Sequence, residues 1–157
     1  MKIRLLVVGK TDQDFVEAGL NEFRNRLKQA VSFEMEVIPD LKNRKSLSFE
    51  QQKEKEGESI LKSIQAGDYI VLLDERGKEF SSLQFAEYIE RKTHTVTKRL
   101  VFVVGGPYGF SQKVQAAAHE KIALSQMTFS HQFIRLIFIE QLYRAITILN
   151  NQPYHHE

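Results

Sequence analysis

Leu100-Val101-Phe102-Val103-Val104-Gly105-Gly106-Pro107-Tyr108-Gly109-Phe110 reads as a buried strand that runs straight into a glycine turn. The first five residues are bulky or β-branched, the composition of a strand covered on both faces. Gly105, Gly106 and Gly109 can take backbone angles closed to other residues, and they let a ligand come close to the main chain. Ser111 stands where a helix N-cap belongs, ahead of Gln112–Glu120. A strand, a glycine turn and a helix start form a place where open α/β sheets hold ligands. The spacing is not that of a dinucleotide fingerprint, and no Gly-Lys-Ser/Thr follows to make a P-loop. A tight strand–helix turn with no ligand fits the same residues.

Outward from this stretch, strands alternate with helices. Ile3–Val8 is a strand, and Thr11 is placed to cap a helix from Asp12 to Ala30. Phe33–Ile38 alternates apolar residues with Glu34 and Glu36, as an edge strand with one wet face does. Ser48 with Gln51, and Ser81 with Gln84, form capping boxes that open helices Phe49–Ala66 and Ser82–Thr93. Tyr69–Asp74 is a buried strand, Glu75–Phe80 a loop, and Ile122–Leu124 a short strand. His131 begins a helix that runs to Asn150 and is apolar nearly all round. Such a helix needs cover on every side, so part of it is expected to pack on a second copy. The expected class is α/β, a mostly parallel sheet with helices on both faces, in one domain spanning 1–157.

The 157 residues carry 22 Lys+Arg against 20 Asp+Glu, a net charge of +2. The charges are interleaved, and no basic tail marks a nucleic-acid partner. The absence of cysteine excludes disulfides, thiolate catalysis and cysteine-ligated zinc. The apolar start, Leu5–Val8, is too short for a leader, and Phe133–Ile139 is interrupted by Arg135. A soluble cytoplasmic protein is expected. The basic loop with Lys42, Arg44 and Lys45 is either solvated or touches phosphate.

Three loops leave the carboxyl ends of strands: Leu73–Gly77, Gly105–Gly109 and Leu124–Phe129. In a parallel sheet such loops lie on one rim and can converge. In the third, Leu124, Met127 and Phe129 alternate with Ser125, Gln126 and Thr128, a mixture suited to gripping a flat heteroaromatic ring. A loop whose apolar residues merely close the core fits as well.

Together, Gly105–Gly109, Leu124–His131, Glu140-Gln141-Leu142-Tyr143-Arg144-Ala145 and the terminal Pro153–Glu157 resemble the RlmH family of SPOUT-class methyltransferases. The resemblance covers the whole chain and is densest from Phe102 onward. It implies a homodimer with a C-terminal trefoil knot, using S-adenosylmethionine to methylate N3 of a pseudouridine in 23S ribosomal RNA. It places the cofactor against Leu73, Gly105, Gly106 and the segment Leu124, Ser125, Gln126, Met127, Thr128 and Phe129. The N3–H must lose its proton as it attacks the methyl group, and His131 is suited to accept it or to hydrogen-bond. Tyr154 and His156 in the tail are candidates to hold the base. His156 stands where relatives typically carry Arg or Lys, so a fixed charge is replaced by a titratable one. No metal is expected, since the adjacent tail histidines lack a third ligand cluster. Two other readings remain at this point: a SPOUT methyltransferase acting on another RNA nucleotide, and an RNA- or ribosome-binding module without catalysis. The modest charge favours an assembled ribosome over naked RNA as the substrate.

Overall fold

The computed structural model describes residues 1–156. Eleven elements follow in order: β1 (Lys2–Val8), α1 (Asp14–Ala30), β2 (Phe33–Ile38), a short 3-10 turn (Arg44–Ser46), α2 (Phe49–Ser63), β3 (Tyr69–Glu79), α3 (Ser82–Thr95), β4 (Arg99–Val104), α4 (Gln112–Ala117), β5 (Glu120–Ala123) and α5 (Phe133–Leu149). The five strands form one parallel sheet in the order β2-β1-β4-β3-β5. The Leu100–Val104 run is its centre, and Leu100, Val101, Phe102 and Val103 are wholly buried. Alternate residues feed two cores. Ile3, Leu5, Val7, Leu100, Phe102, Val104, Val71 and Leu73 face α1, α3 and α5. Leu6, Val8, Val101, Val103, Ile70 and Leu72 face α2 and α4. Each fully buried side chain of this kind contributes about 1.5–3 kcal/mol.

Both capping boxes form as the sequence indicates, with Ser48 and Ser81 each accepting the amide of the residue three positions on. Ser111 likewise accepts from the Val114 amide at 3.3 Å. Other boundaries differ. Helix α1 starts at Asp14 rather than Asp12, because the Thr11 hydroxyl accepts from Arg135 instead of capping. Helix α2 ends at Ser63, short of Ala66, and α4 ends at Ala117, short of Glu120, which begins β5. Helix α3 runs two residues past Thr93.

The largest correction concerns β3. It continues to Glu79 where a loop was expected. Leu73 and Lys78 both pair with Ile122, so residues 74–77 are looped out of the ladder between them. Gly77 closes the excursion against β5: a Cβ there would lie 2.6 Å from the Ile122 amide nitrogen. Backbone cannot yield to that contact as a side chain can, so glycine is required.

Candidate functional site

Strands β4, β3 and β5 are neighbours, and the turns that leave β4 and β5 meet the looped-out residues of β3. They enclose a cavity of about 610 Å³ walled by Leu73–Arg76, Val104–Phe110, Leu124–Ser125 and Met127–Ser130, with His131 and Ile134 from the start of α5. That volume lies in the ordinary range for small-molecule sites. Of the cofactor residues expected from sequence, Leu73, Gly105, Gly106, Leu124, Ser125, Met127, Thr128 and Phe129 line it; Gln126 sits in the same loop, exposed, and does not.

The glycine loop is shaped by space as much as by angle. Only Gly109 has a positive φ, +84°, while Gly105 and Gly106 keep ordinary angles. At Gly106 the constraint is one of space: a Cβ there would stand 2.5 Å from the Glu56 carboxylate, which would have to shift. Glu56 is 4 % exposed, and its Oε1 has no hydrogen-bond partner. Burial pushes its carboxyl upward. In the third loop, Ser125 Oγ accepts from the Met127 amide at 3.0 Å, leaving Met127 77 % exposed at the mouth. Ser130 then caps the entry to α5, its Oγ accepting from the Phe133 amide at 3.1 Å.

The looped-out turn of β3 carries its own clamp. Asp74 is held by the Arg76 guanidinium at 2.9 and 3.1 Å and by the Arg76 amide at 2.9 Å. Those bonds keep the Asp74 carboxyl below its usual range, a carboxylate at the cavity wall at neutral pH.

His131 is half-buried at the wall, and burial, then the charge of Arg135, holds its imidazole below the usual range. Arg135 lies one turn further along the helix and is fully buried. Its Nε donates to His131 O at 3.0 Å, Nη1 to Gly9 O at 2.7 Å, and Nη2 to Val8 O at 2.8 Å. No carboxylate pairs with it among the described residues. Gln132 adds two more ties, donating to Lys10 O at 3.2 Å and accepting from the Asp12 amide at 3.0 Å. The start of α5 is thereby stapled to the chain leaving β1. A neutral imidazole with a buried guanidinium one helical turn behind it suits a reaction in which a substrate nitrogen gives up a proton.

Among the described residues, the tail does not line this cavity in its own chain. Tyr154 packs edge-on to Tyr143 at 4.9 Å, beneath the Arg144 guanidinium, and its hydroxyl donates to Glu140 Oε1 at 3.0 Å. Burial and Glu140 raise the phenol above its usual range, so it stays protonated. Arg144 also donates to His155 Nδ1 at 3.2 Å, while His156 is exposed. Glu157 lies outside the described residues.

Sequence reasoning missed Glu56, the Asp74–Arg76 clamp and the role of Arg135. Arg135 had a visible signal, a lone charge inside an apolar helical run. Among the described residues, no group of His, Asp or Glu is placed to hold a metal, and no helix is long and apolar enough to cross a membrane.

The profile of a protein family described as "Predicted SPOUT methyltransferase" matches residues 1–155. Similar curated proteins named "Ribosomal RNA large subunit methyltransferase H" include one from Parabacteroides distasonis, 69 % identical over 157 residues and the full length of both chains. One from Bacteroides thetaiotaomicron is 64 % identical over the same span. One from Christiangramia forsetii is 56 % identical over 99 % of each chain.

Proposed function

Since the chain belongs to the SPOUT methyltransferase family, we propose that it is an S-adenosylmethionine-dependent ribosomal RNA methyltransferase acting on N3 of a pseudouridine. The observation that carries this reading is the convergence of the three turns on one cavity with His131 at its wall. The residues fit the cofactor. Apolar Leu73, Leu124 and Phe129 can cover a heteroaromatic ring, and open backbone at Gly105 and Gly106 can meet its edges. When bound, S-adenosylmethionine supplies a methyl group on a sulfonium, which needs no metal to make it electrophilic.

The protein's part is to hold and to charge. The cavity walls fix the approach of nitrogen to methyl, and such positioning can supply much of the acceleration. His131, kept neutral by burial and by Arg135, accepts the N3 proton or a hydrogen bond from it. The Arg135 charge favours the anion that remains on the base.

Dimerisation completes the site in this reading. Phe15 and Phe133 are 63 % and 40 % exposed, side by side at 6.3 Å on α1 and α5. A second copy seated there gives the long helix its missing cover. Tyr154 is anchored at Glu140, six residues past Ile134 and about 9 Å further along the helix axis. In this reading Tyr154 and His156 act in the partner's cavity. A tail-deleted chain and a Gly106→Val chain, each inactive alone, are expected to recover about a quarter of wild-type activity when co-expressed as mixed dimers. No recovery would place the tail elsewhere. We assign the trefoil knot to the passage from β4 to α5, in one domain covering the chain, and the enzyme to the cytoplasm.

The substrate is the assembled ribosome or its large subunit. With 22 basic and 20 acidic residues, few cations are left for phosphate neutralisation, and shape must contribute. Incubating unmodified ribosomes with the protein and labelled S-adenosylmethionine, then mapping nucleotides by mass, is expected to find one N3-methylpseudouridine in 23S RNA. Naked 23S RNA should react far more slowly. Methyl on another nucleotide, or equal rates on both substrates, would falsify this assignment.

A further inference from the structure

Phe49 is the second most exposed large apolar residue of the chain, at 68 %, and no packing need accounts for it. It opens α2, but the Ser48–Gln51 box already satisfies that helix end. Its ring stacks on Tyr108 of the glycine loop, with centroids 4.2 Å apart and planes 20° apart. Tyr108 lines the cavity and is itself 38 % exposed. One face of the Phe49 ring therefore meets Tyr108, and most of the rest is open to solvent beside the cavity mouth.

The chain just before this pair is basic. Lys42, Arg44 and Lys45 are exposed on the loop and 3-10 turn that lead into α2. Arg44 is paired with Asp40 at 3.0 Å, while Lys42 and Lys45 have no acidic partner among the described residues. Glu50, the acid next to Phe49, is paired with Lys53 at 2.9 Å. A flat aromatic surface with cations four and seven residues before it in the chain has the ingredients of a single-strand site: bases stack, and phosphates meet lysine.

We propose that Phe49, backed by Tyr108, is a stacking platform for an unpaired nucleobase of the RNA substrate, with Lys42 and Lys45 meeting its phosphate. The platform rests on the reading of the protein as an RNA methyltransferase and adds where the substrate is gripped outside the reacting centre. The other role open to the pair is a latch, in which Phe49 pins Tyr108 to hold the glycine loop for the cofactor.

The two roles separate by experiment. Phe49→Leu keeps an apolar side chain but removes the π-face. On unmodified ribosomes it is expected to raise KM about five-fold or more, with kcat and calorimetric affinity for S-adenosylmethionine unchanged. Phe49→Trp should keep KM near wild type. A Phe49→Leu enzyme that matches wild type, or that loses cofactor affinity instead, overturns the proposal.

The chain contains no tryptophan, so Phe49→Trp also places a sole tryptophan at the platform, which can be excited apart from the five tyrosines. Adding a mixed-sequence single-stranded oligoribonucleotide is expected to quench that emission by half or more at saturation. Unchanged emission up to millimolar RNA overturns the platform. So does emission that shifts with protein concentration alone, since a second copy would then cover the ring. If the wild-type protein transfers no methyl to ribosomes, the functional reading fails by that result, and the quenching measurement alone decides the platform.

Discussion

Replacing His131 with alanine is expected to lower kcat about 10²–10⁴-fold, the range of a lost proton acceptor, while S-adenosylmethionine still binds. Among the described residues lining the cavity His131 is the one imidazole, and Glu75, the carboxylate there besides Asp74, is exposed to solvent. The carboxylate of Asp74 is already taken up by Arg76. The pH profile gives an independent check. Positive charge nearby disfavours the imidazolium, so Arg135 and, less strongly, Arg44 depress the titration, and Asp12 and Asp40 oppose them. Burial is the larger cause of the depression. The neutral, active form therefore persists as pH falls, and the acid limb of kcat/KM should lie below the ordinary histidine value of 6.5. An acid limb above that value, or a His131→Ala enzyme within about three-fold of wild type, would exclude a proton-accepting role.

Replacing Arg135 with methionine is expected to destabilise the fold by about 3 kcal/mol or more. The volume is nearly kept, but the carbonyls of Val8, Gly9 and His131 lose their donor. A buried acceptor left unsatisfied costs about 1–3 kcal/mol. For a chain of this size, that corresponds to a fall in melting temperature of about 6–12 °C. Arg135→Lys should fall between, since an ammonium cannot span three acceptors set in a fork. The same substitution removes the charge beside His131, so the surviving Arg135→Met enzyme should show its acid limb moved upward. Thermal unfolding followed by circular dichroism, with pH–rate profiles below the melting temperature, reads both effects. A melting temperature within about 2 °C of wild type would show that the carbonyls find other donors.

These two residues also show how far sequence could reach. Leu100–Phe110 was readable because a buried parallel strand must be continuously apolar and must end where the backbone turns. Both capping boxes were readable because Ser-x-x-Gln is a local device whose partners lie three residues apart. The Asp12 start of α1 misled because Thr11 has two uses: it can cap a helix or accept from a guanidinium. The choice was made by Arg135, 124 residues later. The same holds for β3, where the resumption of pairing with β5 at Lys78 sets how far residues 74–77 are looped out, and Gly77 is needed for the close pass against Ile122.

The sequence by itself determined the alternating α/β order, the central strand, the glycine turn and the family, because each rests on local pattern or on motifs that need no partner in space. Only the tertiary structure decided that β5 returns to lie beside β3, so that three separate turns wall one cavity. It alone set Glu56 under Gly106, Arg135 behind His131, Phe49 against Tyr108, and the tail away from its own chain's site. Those placements come from contacts between residues far apart in the chain, and no local propensity encodes which distant neighbour a side chain will meet.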